Sequence, residues 1–521
     1  MVHRFFLRNT FVLLVSLSVT AVCSARDYIL TLGGGYAPAG NQISLEKNVE
    51  YFERVLDQFY PKGVDHSILF ADGNNPARDL QYRSESIGMT QARENVAYIF
   101  GQTKYLYDEY RSHNIQDVEG PSTRKAFEQW ISQAKQQLKA GDRVLIYVTA
   151  HGGKSTDKKK SHNTTIHLWG RQSISMQDFT KQLDQLPATV SIVTVMVQCY
   201  AGGFSDFIYK EGDPEKGLSN QARCGFFATT YSRVAAGCTP DINEANYQEY
   251  SSYFWSAILG TTRTGKPVPR ADYNDDGTVS FAEAHSYALK ASTTIDLSVK
   301  TSDVLLRKFS KLGDEKHPEL MSADTPFSEL NEVASPENRV VLTELSKFLK
   351  LENSQRDSAA KGLAKQLDDE KKALSKTLGK TSMDRKRLAI NLRRAIQDEW
   401  PEFNNPWHPR TATILDEESD AVIALLKQHR DYSKFKTLSK EVQKLSKQRF
   451  DLDRRWVKCQ RLIRCLENVA LEQNLALVAT SEQQALLARL VAMENQSLGL
   501  ATTSQASATT RRGFFRRSSG R

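Results

Sequence analysis

Two stretches of the chain decide its fold: VLIYVTAHGG at residues 144–153 and VTVMVQCYAGG at residues 193–203. Each begins with a continuous apolar run and ends in glycines that follow a single reactive side chain, His151 or Cys199. A strand that is buried on both faces shows such an unbroken run, whereas a strand with one solvated face alternates. Both stretches therefore predict central strands of a buried sheet.

The same texture extends from Asp27 to about Gly260. Short β-rich runs and amphipathic helical segments alternate there: strands at 28–32, 66–70, 190–197 and 225–230, and helices at 45–59, 126–138 and after a cap at Ser175. This alternation predicts an α/β fold, a mostly parallel sheet with helices on both faces. Ligands bind beyond the carboxyl ends of the strands in such a sheet, where His151 and Cys199 fall.

His151 and Cys199 are the candidate catalytic residues. Either side chain alone is more often a buried structural residue than a catalyst. Here both follow apolar strands and both precede glycines. The histidine also lies about 50 residues upstream of the thiol, a spacing expected of cysteine nucleophiles that use a separate histidine. The pair therefore predicts nucleophilic catalysis by a thiolate.

With these motifs the segment Tyr28 to Gly260 resembles the legumain and caspase superfamily of cysteine peptidases, and legumain more than the caspases. IHLWG at 166–170 follows the family order, and FATT at 227–230 looks like the legumain strand beside the primary specificity pocket. The resemblance implies a caspase-like three-layer sandwich with a mostly parallel sheet. It also implies a cysteine endopeptidase that acts on protein or peptide substrates.

The family mechanism implies a role for three residues. Cys199 attacks the scissile carbonyl and forms an acyl-enzyme, while His151 serves as general acid and base. The backbone amides of Gly152 and Cys199 stabilise the oxyanion. Gly152 is therefore included among the catalytic positions.

The chain departs from legumain where the primary pocket forms. Ala39-Gly40-Asn41-Gln42 stands in place of an Arg-His pair, and Val197 replaces an acidic residue two positions before the nucleophile. Asparagine specificity therefore does not carry over. Two alternative functions stay open: a transamidase or peptide ligase that uses the same dyad, and a catalytically inactive caspase-like binding scaffold.

A second motif, DYNDDGTVSFAE at residues 272–283, matches the twelve-residue calcium loop. Pro267 and Pro269 interrupt any helix that would enter the loop, so a paired EF-hand is not expected. We expect one structural Ca²⁺ ion, and an acidic turn without an ion is the alternative. The candidate ligands are Asp272, Asn274, Asp276, Thr278, Ser280 and Glu283.

Beyond residue 325 the composition changes to long stretches of Leu, Lys, Glu, Gln and Arg. Residues 326–500 are predicted to form an all-α region, a bundle or long hairpin broken near Trp400–Trp407. Its place behind the peptidase domain suggests either autoinhibition, by covering the active site until it is cut away, or self-association. Residues 501–521 are predicted to be a disordered basic tail.

The first 25 residues predict a secretory signal peptide. Arg4 and Arg8 precede an apolar run at residues 11–22, and small residues follow it. The run is shorter than the roughly 20 residues of a membrane span, so no transmembrane span is expected in the mature chain; an uncleaved anchor is the alternative. We therefore expect a secreted or periplasmic protein with its peptidase domain at residues 26–325.

Net charge narrows the class of partner. The net charge of +9 is modest for 521 residues, and no nucleic-acid partner is expected.

The cysteine count bears on disulfide pairing. Five cysteines remain once Cys23 leaves with the signal, an odd count that leaves at least one free thiol. Cys224 and Cys238 could close a short disulfide loop. Cys459 and Cys465 stand too far apart on one straight helix to pair.

Overall fold

The computed structural model describes residues 25–83, 90–101 and 108–499. Its main sheet has seven strands: β1 (Asp27–Gly34), β2 (Asp65–Phe70), β5 (Val118–Gly120), β6 (Arg143–Ala150), β10 (Ser191–Met196), β11 (Ala222–Phe227) and β12 (Val299–Lys300). Their order is β12-β11-β10-β6-β1-β2-β5, and only β12 runs antiparallel to its neighbour. The predicted mostly parallel sheet is confirmed.

Helices cover both faces of this sheet. Tyr147 of β6 packs against Phe52 of a helix on one face, with ring centroids 4.9 Å apart. The register pairs Tyr147 with Thr31, so Tyr28 points to the opposite face, where it packs against Trp130 at 5.5 Å. The helices of this region are α1 (Ile43–Phe59), α2 (Gln91–Phe100), α3 (Arg124–Gln137), α4 (Met176–Leu183), α5 (Tyr250–Leu259), α6 (Phe281–Ala291) and α7 (Thr301–Phe309).

Two smaller sheets were not predicted from the sequence. One is the antiparallel pair β3 (Leu80–Arg83) and β4 (Asp108–Arg111). The other joins β7 (Gly152–Gly153), β8 (Thr165–Leu168) and β9 (Gln172–Ser175), directly after the strand that leads to His151. Strands of two to four residues are too short to show a period of two, which explains the omission.

The C-terminal region is helical, as predicted. Its elements are α8 (Phe327–Val333), α9 (Pro336–Leu349), α10 (Arg356–Glu399), α11 (Pro409–Asp416), α12 (Ser419–Gln428), α13 (Tyr432–Val478) and α14 (Ser481–Glu494). Helices α10 and α13 run antiparallel, because Lys371 pairs with Asp453 while Asn391, further along α10, bonds Asp431, near the start of α13. The two long helices form the predicted hairpin.

The helical region shares its core with the sheet. Leu471, Leu475 and Leu490 belong to the same buried cluster as Leu30 of β1 and Val144 of β6. These side chains are at most 4% exposed. The α/β region therefore does not close its core without α13 and α14.

Buried ion pairs strengthen the same junction. Arg143 at the start of β6 pairs with Asp27 at 2.6 Å and donates to the carbonyl oxygen of Ser497 at 3.1 Å. Lys300 of β12 pairs with Glu494 of α14 at 2.7 Å. Residues near the C-terminal end of the described chain thus hold the amino end of one central strand and the edge strand.

Two sequence predictions fall on residues outside the description. The signal peptide, apart from Ala25, and the basic tail at 501–521 lie outside the described residues. Among the helices that are described, none combines the length and the apolar composition that crossing a membrane requires.

Candidate active site

The sheet brings the carboxyl ends of β6 and β10 side by side. The strands are parallel neighbours, and their register pairs Val148 with Met196. His151 and Cys199 each stand three residues beyond this pair, so both leave the sheet at the same edge. The structure therefore brings the predicted histidine and cysteine together.

The imidazole of His151 is held by the loop that follows β1. Its Nε2 lies 2.9 Å from the carbonyl oxygen of Gly40 and 3.0 Å from Oε1 of Gln42. Both oxygens are acceptors, so Nε2 carries a proton and the neutral ring presents Nδ1 as its basic nitrogen. Tyr36 packs edge-on against the ring, with centroids 5.4 Å apart. One tautomer and one orientation are thereby fixed.

Cys199 lies in a sharp turn between β10 and a short 3₁₀ helix, Ala201–Ile208. The next residue, Tyr200, has a left-handed backbone with φ of 62°, which is unfavourable for a residue that carries a Cβ. Surrounding contacts enforce it: the Tyr200 amide donates to the carbonyl oxygen of Arg233 at 2.9 Å. The thiol of Cys199 accepts a hydrogen bond from the amide of Ala235 at 3.3 Å. The loop after β11 therefore holds the thiol of Cys199.

Gly152 joins the two turns. A Cβ at this position would lie 2.2 Å from the carbonyl oxygen of Cys199, so only glycine fits. The carbonyl of His151 accepts from the His167 amide, which makes the next pair, Gly152 and Ile166, a non-hydrogen-bonded one. The Gly152 amide therefore points away from β8. Glycine is required here for packing of the two turns as well as for approach of a substrate.

Burial sets the charge state of the pair. Desolvation lowers the pKa of His151; the hydrogen bond to Gly40 opposes this, and the nearby His167 lowers the pKa further. Desolvation raises the pKa of Cys199; the Ala235 backbone opposes this, and the carboxylate of Asp296 adds to the rise. Burial therefore favours the neutral thiol and the neutral imidazole.

Buried contacts connect the loop around Cys199 to the helical region. Arg461 of α13 is 2% exposed and donates to the backbone carbonyl of Asp296 at 2.6 Å. The carboxylate of Asp296 accepts from the Ala236 amide at 2.7 Å, and the adjacent Ala235 holds the thiol of Cys199. The loop that holds the Cys199 thiol thus rests on α13.

The mouth of the site is open to solvent. Val234 is 46% exposed, Tyr231 is 39% exposed and Cys238 is exposed, while His151 and Cys199 are half-buried. The helical region supports this loop and leaves these side chains accessible. Occlusion of the site by the helical region, one of the two alternatives drawn from the sequence, therefore gains no support from the described residues.

Cys238 is a second thiol within the site. Its Sγ lies 3.7 Å from Nδ1 of His151. The five cysteines of the described chain are all free thiols, so the disulfide considered between Cys224 and Cys238 is not formed. Cys224 is buried in β11, and Cys459 and Cys465 are both buried on α13.

The predicted calcium loop forms a turn directly before α6. Asp272 accepts a hydrogen bond from the Asp276 amide at 3.1 Å, and the side chain of Asn274 donates to Asp276 at 3.0 Å. Glu283 caps α6 together with Ser280, at 2.9 Å. Within the described residues, no three His, Cys, Asp or Glu side chains are grouped so that they could hold a metal ion. The residue types fit calcium, but Glu283 would have to exchange its capping bonds for the ion, and calcium binding stays a prediction.

Four residues of the site were missed from the sequence: Gly40, Gln42, Asp296 and Cys238. The resemblance marked residues 39–42 only as lacking a pocket pair, whereas Gly40 and Gln42 anchor His151. A signal for this existed, because the loop after β1 must reach the end of its neighbour β6. Asp296 and Cys238 gave no such signal, since their place depends on how long loops fold back onto the sheet.

No protein-family model matches the chain, and no curated protein matches it. Among solved structures, the crystal structure of protein GSU0716 from Geobacter sulfurreducens aligns with a TM-score of 0.30 and 11% sequence identity. The alignment covers 53% of this chain and 93% of that chain. A likeness this weak leaves function to be argued from the site itself.

Proposed function

We propose that the chain is a cysteine endopeptidase, which cleaves peptide bonds through an acyl-enzyme on Cys199 with His151 as general acid and base. One observation carries the proposal: the two side chains leave adjacent parallel strands at the same edge, with Nε2 of His151 bound to Gly40. This arrangement leaves Nδ1 available as the base. Its contact with the Sγ of Cys238 places it against the loop that also holds the Cys199 thiol.

The reaction begins from the neutral pair. Nδ1 of His151 takes the proton of the Cys199 thiol, and the thiolate adds to the scissile carbonyl. The imidazolium keeps its Nε2 proton on the Gly40 carbonyl and gives the Nδ1 proton to the leaving amine. The C–N bond breaks and a thioester remains on Cys199. Water then adds to the thioester as Nδ1 takes its proton, and the acid product leaves with the thiol restored.

The negative oxygen of each tetrahedral intermediate needs donors. The Gly152 amide points away from β8 and lies in the turn packed against Cys199, which supports its proposed role as an oxyanion donor. The amide of Cys199 is proposed as the second donor. Both belong to backbone that packing fixes in advance, so little reorganisation is needed.

The finer fold assignment, a caspase-like sandwich, is part of the same proposal. It is supported by the parallel core strands, the antiparallel edge strand β12 and the origin of the two reactive side chains from neighbouring strands. We further propose that the protein works outside the cytoplasm, as the basic, apolar and small-residue pattern of its first 25 residues suggests.

The test is turnover of a peptide library by the full chain and by matched variants. Cys199→Ala should lose turnover by about 10³-fold or more and lose labelling by thiol-reactive acyl probes, while Cys224→Ala should keep both. His151→Ala should lose most turnover but keep some labelling, since the thiol remains. Parent-level turnover in Cys199→Ala would remove Cys199 from the mechanism.

Product analysis separates the peptidase from the alternatives. With an added amine nucleophile, a peptidase yields mainly the acid product, whereas a transamidase yields the amide. If neither product forms from any library peptide and the probe still labels Cys199, the binding-scaffold alternative is favoured.

A further inference from the structure

We infer that Cys199 and Cys238 form a reversible disulfide, which makes this site an oxidation-sensitive thiol pair. The bond itself does not depend on the proposed function. Its effect on turnover does rest on it, because a nucleophile held in a disulfide cannot attack a carbonyl.

Both thiols are held by one short segment. The amide of Ala235 donates to the Sγ of Cys199 at 3.3 Å, and Cys238 follows three residues later on the same loop. The Sγ of Cys238 points back into the site and lies 3.7 Å from Nδ1 of His151. The segment from Ala235 to Cys238 therefore contacts the Cys199 thiol at one end and presents the Cys238 thiol to the basic nitrogen of His151 at the other.

The conformation of the loop between Ala235 and Cys238 requires glycine at position 237. Gly237 has φ of 143°, a backbone conformation that residues with a side chain rarely adopt. A Cβ there would also approach the buried carboxylate of Glu249 at 3.2 Å. This turn carries Cys238 back toward Cys199 and away from Cys224, the partner that sequence spacing suggests.

The electrostatics of Cys238 agree with this placement. Desolvation raises the pKa of Cys238, and the negative charge of a Cys199 thiolate raises it further. Cys238 is exposed as a residue, whereas its thiol is turned inward toward His151 and is desolvated, so an oxidant must enter the mouth of the site to meet it.

The exchange can be written with a small disulfide such as oxidised glutathione. His151 takes the proton of Cys238, and the thiolate attacks one sulfur of the oxidant; the S–S bond breaks and one glutathione leaves as a thiol. Cys199 then attacks the Sγ of Cys238 in this mixed disulfide and releases the second glutathione. Two protein thiols lose two electrons and two protons, and one oxidised glutathione becomes two reduced molecules.

The biological consequence follows from the expected compartment. In an oxidising environment the disulfide persists, and it breaks when a dithiol reductant arrives. We therefore expect the oxidised form not to turn over peptide substrates and the reduced form to turn them over.

The experiment uses the full chain, incubated in glutathione buffers from fully reduced to fully oxidised, then alkylated and digested. In the parent we expect a cross-linked peptide pair that contains Cys199 and Cys238, and at least tenfold slower alkylation of Cys199. Dithiothreitol should reverse both effects. Cys224→Ser, which alters a buried thiol of β11, should behave as the parent.

Cys238→Ser is the deciding variant. Its Cys199 should yield at most a mixed disulfide with glutathione, never an internal cross-link. If the oxidised parent carries glutathione separately on both thiols, or shows the same products as Cys238→Ser, the inference is wrong. Because the cross-link is read by mass, the result stands apart from peptidase activity. A cross-link in the oxidised protein, together with no turnover by the reduced protein, counts against the proposed function alone.

Discussion

The α/β region and the helical region contribute different things to the same site. The α/β region supplies the side chains proposed to react, and each stands at a strand end or on a loop, as His151, Cys199 and Cys238 do. The helical region supplies buried charges instead: Arg461, donating to the carbonyl of Asp296, supports the loop that positions the thiol. Chemistry and support are therefore encoded in separate halves of the chain.

The contrast teaches that the helical region is built into the core of the sheet. Its leucines complete the core of the sheet, and Glu494 and Ser497 satisfy buried cations at the strand ends. A cover that is cut away would meet the domain through a solvated interface, since domain interfaces within a chain are commonly polar. Here the interface is apolar and buried, as in a domain core. Breaking it should therefore affect folding before it affects access of substrate to the site.

The largest effect is expected from truncation after Ser322. This removes Leu471, Leu475 and Leu490 from the shared core. Burial of each leucine stabilises by about 2 kcal/mol, against a total of roughly 5–15 kcal/mol for a typical domain. We expect loss of cooperative unfolding, measured by circular dichroism during heating. A soluble, cooperatively folded fragment with faster peptide turnover than the full chain would instead support autoinhibition.

A smaller effect is expected from Arg461→Met. The methionine fills similar space but leaves the carbonyls of Asp296 and Ser292 without their charged donor. The free energy of unfolding should fall by about 3 kcal/mol, measured by urea denaturation. Alkylation of Cys199 should also change rate, because the support of its loop is lost. Arg455→Met, at an exposed position on the same helix, is the control and should change neither quantity.

Calcium should have a moderate effect, confined to the α/β region. An ion bound only by the folded chain stabilises by about 1.4 kcal/mol when its concentration is about tenfold above Kd. We expect a higher melting temperature in millimolar calcium than in chelator, and no difference in the double variant Asp272→Ala, Glu283→Gln. An equal calcium response in parent and variant would place the ion elsewhere.

The last effect is a pH dependence, and it concerns the loop that anchors His151. Asp79 accepts from the side chain of Asn41 at 3.1 Å, and Asn41 in turn accepts from the Gly35 amide. Desolvation raises the pKa of Asp79 to about 7, and the carboxylate of Asp72 contributes. The folded state therefore holds this proton more tightly than the unfolded chain does, so the contribution is full below the unfolded value and is lost as pH rises toward 7.

Asp79→Asn tests this directly, because asparagine keeps an acceptor for Asn41 but does not titrate. Its melting temperature should fall less than that of the parent between pH 4 and about pH 7. Asp369→Asn, which changes an exposed carboxylate of α10, should follow the parent. Parallel curves for parent and Asp79→Asn would show that the group does not control this pH dependence.

The sequence alone determined the central strands and the position of the reactive pair on them. Continuous apolar runs ending in His151-Gly152 and Cys199 specify buried strands that end in turns. This could be predicted because both the apolar run and the glycine turn are set by residues adjacent in sequence. The long helices after residue 325 were equally evident, since helical spacing repeats many times over 44 and 47 residues. The break near Trp400 was predicted, whereas the further breaks at residues 350–355, 429–431 and 479–480 were not.

Only the tertiary structure decided how the site is completed. The carbonyl of Gly40, the thiol of Cys238 and the carboxylate of Asp296 come from loops far apart in the chain, and no local pattern marks them. Likewise, amphipathic spacing indicated that α13 has a buried face, but it did not indicate what that face contacts. Long-range packing chooses among partners that are equally apolar in sequence, and here it placed the helices within the core of the sheet.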